Sequence, residues 1–221
     1  MNYLRTSPLH DAFNTLQPAW DESHGMLTAS RVGGADAAIE TAIETLALAD
    51  LSCLPKSGLK GPAAAQWLVA QGVPVPAEAN SWKALPDDGV IARLGRSEFF
   101  LEDGAAGGMA TRTRIALGTG TAGVYPVIRQ DAGILLAGER SNELLAQTCN
   151  VSFAEIDPER RVAVMTQMIG VGVIVIRTHL RKLPCYRIWC DPTFAQYFWE
   201  TLSGIATELG GGVIGTETLL K

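Results

Sequence analysis

The chain has 221 residues and 23.5 kDa, enough to bury a sizeable core in one large domain or two small ones. Hydrophobic residues make up 47% and charged residues 19%, which excludes wholesale disorder. With 18 Lys+Arg against 23 Asp+Glu the formal charge is -5, so the basic footprint of a general nucleic-acid binder is missing and no nucleic-acid partner is expected.

Residues 1–35 mix Pro, Ser, Gly and His with isolated apolar residues and show no period, the pattern of an irregular N-terminal arm. Asp36 to Thr45 is predicted as a short helix with Ala37, Ala38, Ile39, Ala42 and Ile43 on its apolar side. Leu46 to Leu51 and Lys56 to Lys60 are predicted strands. Gly61-Pro62 then opens a helix over Ala63–Ala70, with Gly72 placed to cap it. Alternate prolines keep Val73 to Ala77 extended. Val90–Leu94 and Glu98–Leu101 form a predicted hairpin around Gly95-Arg96-Ser97, and glycines 104, 107 and 108 mark a break.

The second half repeats the plan. Tyr125–Arg129 and Gly133–Ala137 are predicted strands with a turn between, and Gly138 opens a short helix from Glu139 to Gln147. Val151–Ile156, Val162–Gln167, Val171–Arg177 and Cys185–Cys190 are further predicted strands. Asp191-Pro192 is a strong helix start, an acid at the N-cap followed by Pro. Phe194, Tyr197, Phe198, Leu202, Ile205 and Leu209 keep helical spacing up to Gly210. The spacing predicts Phe194 and Phe198 in the core, and Trp199, off that stripe, as a side chain free to meet a partner. Helix-plus-strands after Gly61 recurs after Gly138, which predicts an α+β layer of helices on one face of a largely antiparallel sheet. The domain is expected to span residues 36–215, in pseudo-repeats of about 36–110 and 111–215.

Candidate chemistry is sparse. Gly118-Thr-Gly-Thr-Ala-Gly123 has the spacing of a dinucleotide loop, but Val124-Tyr-Pro-Val-Ile128 follows where a helix is required, so it reads as a turn. Cys185 and Cys190 stand five apart on a strand and face opposite ways, and with only His10, His24 and His179 no zinc spacing arises. Cys53, Cys149, Cys185 and Cys190 form no disulfide framework, which points to a reducing, cytoplasmic setting. The longest apolar run, Met168 to Ile176, is far short of the roughly 20 residues that span a bilayer, and the N-terminal stretch has no signal-peptide core, so no membrane partner is expected. Arg177, His179, Arg181, Lys182 and Arg187 are the densest basic group, either an anion site or a solvated hairpin turn. Asp87-Asp88, with Glu98, Glu102 and Asp103 nearby, is either ordinary turn chemistry or the source of a proton-carrying carboxylate. No nucleophile elbow, zinc-protease helix or P-loop is present.

Several stretches carry a resemblance. Asp50-Leu-Ser-Cys-Leu-Pro-Lys-Ser-Gly-Leu-Lys-Gly-Pro-Ala-Ala-Ala-Gln-Trp-Leu68, Asn80-Ser-Trp82 and Ala92-Arg-Leu-Gly-Arg-Ser-Glu-Phe99 resemble the gamma subunit of heterotetrameric sarcosine oxidase. Gln147-Thr-Cys-Asn-Val151, Thr166-Gln-Met-Ile-Gly-Val171, Tyr186-Arg-Ile-Trp189 and the aromatic helix from Phe194 follow in that family's order. The resemblance covers roughly residues 45 to 212.

The gamma subunit is itself similar to the folate-binding domain of the glycine-cleavage T-protein. The resemblance therefore implies two β-β-α-β-β-β-α subdomains that exchange their first strands. It further implies a non-catalytic subunit in a flavin-dependent complex that demethylates sarcosine to glycine. FAD, FMN, NAD and tetrahydrofolate are then expected in larger alpha and beta partner subunits, with no cofactor held by this chain itself. The T-protein's acidic motif, Gly-Gly-Ile-x-Asp-Asp before a strand like Tyr-Arg-Leu, matches Asp87-Asp-Gly-Val-Ile-Ala-Arg-Leu94, although Ala84-Leu-Pro86 replaces the glycine turn. On the alternative of a stand-alone folate-binding, aminomethyltransferase-like protein, the resemblance makes Asp88 the residue that contacts tetrahydrofolate.

Overall fold

A computed structural model describes residues 5–33, 36–180 and 183–220. They divide into two compact units. One comprises the described residues of Met1–Cys53, Asp131–Pro158 and Thr166–Lys221, the other Leu54–Gln130 and Glu159–Met165. The first half of the chain contains β1 (Arg5–Thr6), α1 (His10–Asn14), β2 (Ala19–Ser23), β3 (Met26–Arg31), α2 (Asp36–Thr45), β4 (Ala47–Asp50), β5 (Lys56–Lys60), α3 (Ala64–Ala70), β6 (Ser81–Ala84), β7 (Val90–Arg93) and β8 (Glu98–Glu102). The second half contains α4 (Met109–Leu117), β9 (Tyr125–Val127), β10 (Ala132–Ala137), α5 (Ser141–Thr148), β11 (Ala163–Met168), β12 (Val171–Leu180), β13 (Leu183–Cys190), α6 (Ala195–Glu208) and β14 (Gly212–Val213). Among the described residues no helix is long and apolar enough to cross a membrane.

The larger unit is built on a six-stranded sheet in the order β11-β12-β13-β10-β4-β14. The four residues of β4 are all buried, as expected of an interior strand with both faces covered. The smaller unit has a five-stranded sheet, β6-β7-β8-β5-β9, in which β9 is the outer strand. Pro126 lies in β9, where a residue that cannot donate to a ladder is tolerated. Leu59, Ile91, Phe99 and Leu101 point to one face of this sheet and form a core with Ala64 and Leu68 of α3 and Ala110 and Leu117 of α4. The helices therefore cover one face, and the alternate strand residues occupy the other.

Strand order places β4 beside β10, and β9 beside β5. Two glycines mark matching points of these pairings. Gly61, at φ +132, follows β5 and lies against the carbonyl of Gly123 just ahead of β9. Gly138, at φ +120, follows β10 and lies against the carbonyl of Thr45 just ahead of β4. A side chain at either position would strike backbone, so only glycine permits the approach.

Four sequence expectations are corrected. Residues 1–35 are not an irregular arm over their described part: β1, β3 and β2 form a small sheet, with α1 alongside. The period escaped notice because β2 faces solvent, and because β3 is held by distant chain, through Thr216 Oγ1 to the Ala29 carbonyl at 3.5 Å and the Arg31–Glu217 ion pair at 3.1 Å. Val151–Ile156 is not a strand but contains a 3-10 turn, Phe153–Glu155, in which Phe153 is the buried residue. Three elements lie where none was predicted, β6, α4 and β14.

The last correction concerns α6. Its helix begins at Ala195, after a 3-10 turn over Pro192–Phe194 capped by Asp191, whose carboxylate accepts from Thr193 N at 2.8 Å. Phe194 therefore precedes the helical period and is 51% exposed, whereas Ala195, Phe198, Trp199, Leu202 and Ala206 form the buried stripe. Trp199 is 2% exposed and stacks on Phe13 of α1 at 4.9 Å.

Candidate functional site

The acidic turn singled out in the sequence joins β6 to β7. Leu85 N donates to Gly89 O at 2.7 Å and Gly89 N to Pro86 O at 3.0 Å, closing the loop around Asp87 and Asp88. Both aspartates have positive φ, 54° and 61°. Short polar side chains tolerate that region better than most. Gly104 braces the turn from beneath, since a Cβ there would collide with the Asp87 carbonyl. Both carboxylates are exposed, and neither has a hydrogen bond or ion pair among the described residues.

The other acids of the cluster are each engaged elsewhere. Glu98 pairs with Arg129 at 2.8 Å. Arg129 crosses the bare Cα of Gly58 and sets its guanidinium 5.6 Å from the Phe100 ring centroid. Glu102 meets Lys56 at 3.2 Å, with side chains 0% and 3% exposed, and Lys56 Nζ also donates to Leu54 O at 3.0 Å. Asp103 accepts from Ala110 N at 2.7 Å, Thr111 N at 3.1 Å and Thr111 Oγ1 at 2.9 Å. It satisfies amide groups of the first turn of α4, the work of an N-cap done from five residues upstream of Gly108.

On the face of the five-stranded sheet opposite α3 and α4, strand register aligns Trp82, Ala92, Phe100, Gly58 and Val127 in one row. Lys56 and Glu102 sit directly opposite one another on that face. No local signal announces this pair, because its members are distant until β5 and β8 are set side by side. Trp82 Nε1 is buried without a hydrogen-bond partner among the described residues, and the Arg161 guanidinium lies 5.4 Å from the ring centroid.

The basic group does not converge. Arg181 and Lys182 lie outside the described residues. Arg177 pairs with Tyr186 across β12 and β13, so Arg187, one residue on, points to the opposite face. Arg177 donates to Ile156 O at 3.2 Å and lies 5.9 Å from the Tyr186 ring centroid. Tyr186 is itself buried, its hydroxyl donating to Asn142 Oδ1 at 2.6 Å, and burial holds its phenol above the ordinary range. Arg177 is thus part of a packed polar cluster rather than an open anion site.

All four cysteines are buried. Burial, with Asp131 and Asp191 adding to it, pushes the Cys190 thiol up to about 12, so it is no nucleophile at neutral pH. Among the described residues no cluster of three or more His, Cys, Asp or Glu is placed to hold a metal. Gly118–Gly123 follows α4 and leads into β9 through a bridge between Thr121 and Val124, with no helix behind it.

No protein-family model matches the chain, and no curated protein matches it in sequence. Solved structures do share its fold. The glycine cleavage system aminomethyltransferase T from Bartonella henselae superposes with a TM-score of 0.78 at 16% identity, covering 97% of this chain and 60% of that one. This chain thus spans about 60% of that aminomethyltransferase. A chain of the heterotetrameric sarcosine oxidase from Corynebacterium sp. U-96, in complex with pyrrole 2-carboxylate, superposes with a TM-score of 0.65 at 18% identity, covering 95% of this chain and 98% of that one. The molecule has the α+β fold of these proteins. Identities this low speak to fold and not to activity.

Proposed function

We propose that this chain is a non-catalytic, gamma-type subunit of a flavin-dependent sarcosine oxidase-like complex. The observation that carries the reading is the coverage: the match spans 95% of these 221 residues and 98% of a chain of the sarcosine oxidase. The separate engagement of Glu98, Glu102 and Asp103, and the opposite facing of Arg177 and Arg187, support it, since neither group converges among the described residues. On this reading FAD, FMN, NAD and tetrahydrofolate belong to larger alpha and beta chains, and the complex works in the cytoplasm. The pairings of β4 with β10 and β9 with β5, with their matching glycines Gly61 and Gly138, support a duplicated β-β-α-β-β-β-α fold with exchanged first strands.

The test is capture of the tagged chain from its own host grown on sarcosine, with a visible spectrum of the eluate. Two larger chains and flavin absorbance are the expected result. A colourless single chain overturns the reading.

The higher TM-score of the aminomethyltransferase favours a second reading, a stand-alone protein that binds tetrahydrofolate through Asp88. The residues present fit that group poorly. A pterin's donor edge calls for a carboxylate recessed from water, whereas Asp88 is exposed at a turn and the neighbouring acids are taken by Lys56, Arg129 and the first turn of α4. Titration calorimetry with tetrahydrofolate decides it: heat that Asp88→Ala removes would establish the second reading, and no heat would end it.

A further inference from the structure

The hairpin between β11 and β12 has a two-residue loop, Ile169-Gly170, with φ of 45° and 81°. Turns of this kind need positive φ at both positions, and Asn, Asp or Gly normally fill the first. A β-branched residue there is an outlier that persists only where its surroundings hold it. Here they do. Ile169 N donates to Thr148 O at 2.9 Å, and the Tyr197 hydroxyl donates to Ile169 O at 3.2 Å. The backbone is pinned at both ends while the side chain is left partly exposed.

Beside it stands the half-exposed ring of Tyr197, and a second half-exposed ring lies three residues earlier in the chain. Tyr197 is 54% exposed and Phe194, one turn earlier, 51%. The charge along this stretch of the chain has one sign. Between Ile188 and Leu220 the chain has four acids, Asp191, Glu200, Glu208 and Glu217, of which Glu217 is paired with Arg31, and no Lys, Arg or His of its own. Asp191 and Glu200 are exposed and flank the two rings in sequence.

We propose that Ile169, Phe194 and Tyr197 form the docking surface for an arginine-bearing apolar segment of a larger partner chain. The proposal rests on the subunit reading above and names the surface that subunit uses. Two arguments select the occupant. A second copy meeting this patch across a two-fold axis would set Asp191 and Glu200 against themselves, a like-charge contact that disfavours the self-pair. A guanidinium is attracted both by the acidic rim and by the faces of the aromatic rings. Two half-exposed rings also supply an anchor rather than the roughly 800 Å² per partner of a complete interface, so the partner must extend beyond them.

The test uses the full tagged chain expressed in its own host, with captured flavin absorbance measured per tagged chain. Phe194→Ser and Glu200→Lys are each expected to reduce capture about tenfold, the effect of losing an interface anchor or reversing a rim charge. Ile169→Asn is the decisive variant. Asn accepts positive φ, so the isolated chain should melt about 2–4 °C higher, while capture falls with the loss of the exposed side chain. A merely structural Ile169 cannot give that combination. Full capture by all three variants overturns the proposal and leaves the subunit reading intact. Wild-type chain that retrieves no flavin-bearing partner overturns the subunit reading and the docking surface with it. Wild-type chain that retrieves an untagged copy of itself, in a manner abolished by Phe194→Ser, overturns the choice of occupant.

Discussion

The two units set different groups against their buried carboxylates. In the five-stranded unit Lys56 and Glu102 face one another across β5 and β8, and each is neutralised by the other's full charge. In the six-stranded unit Asp50, 3% exposed at the end of β4, accepts hydrogen bonds from the Ser7 hydroxyl and Ser52 N, the latter at 2.8 Å. Ser52 in turn accepts from Gly133 N at 3.1 Å, which ties the arrangement to the start of β10. A counter-charge is strong but brittle, because deleting one partner strands the other. A ring of donors divides the task, so each loss is smaller.

The largest effect should come from breaking the ion pair. Glu102→Leu takes from the buried Lys56 ammonium the carboxylate 3.2 Å away and is expected to cost about 3–5 kcal/mol in denaturant unfolding. The double variant Lys56→Met with Glu102→Leu removes both charges and should recover most of that loss. If the double variant is no better than the single, the pair is not what holds this face together. Asp50→Ala takes the acceptor from the Ser7 hydroxyl and Ser52 N and is expected to cost about 1–3 kcal/mol. A larger loss for Asp50 than for Glu102 would reverse the comparison.

What was legible in the sequence follows the same division between local and distant partners. The β7–β8 hairpin, β4, β5 and the start of α6 announce themselves through neighbours a few residues away: Gly95 between two apolar runs, or Asp191 before Pro192. The elements missed are those whose support is remote. β3 depends on Thr216, and Trp199 finds its burial against Phe13 in the segment that had no visible period. α4 begins after Gly108 with no capping side chain of its own, and the acid that caps it stands at position 103. The candidate acids show the same limit. Asp87, Asp88, Glu98, Glu102 and Asp103 are one cluster on paper, but strand alternation and turn geometry send them to separate tasks.

Asp103 and Asp88 carry the comparison to smaller energies. Asp103 supplies three hydrogen bonds to the first turn of α4, so Asp103→Ala is expected to cost about 0.5–2 kcal/mol, the range for losing a helix cap. Asp103→Asn should fall between, because the amide oxygen still accepts while the charge at the positive end of the helix is lost.

The smallest effect should come from the residue whose chemistry first drew attention. At Asp88 the carboxylate is exposed and touches no donor among the described residues, while the backbone sits at φ 61°. What the position demands is therefore tolerance of the left-handed region, not negative charge. Asp88→Asn keeps that tolerance and should change stability by no more than about 0.5 kcal/mol. Asp88→Val keeps the turn's position but places a β-branched residue at positive φ, at a cost of about 1–2 kcal/mol. A carboxylate built to hold a ligand would invert the order when tetrahydrofolate is present: Asn would then remove a ligand-induced rise in Tm that the wild-type chain displays. Equal melting of wild-type and Asp88→Asn chains, with and without tetrahydrofolate, would mark Asp88 as a turn residue and nothing more.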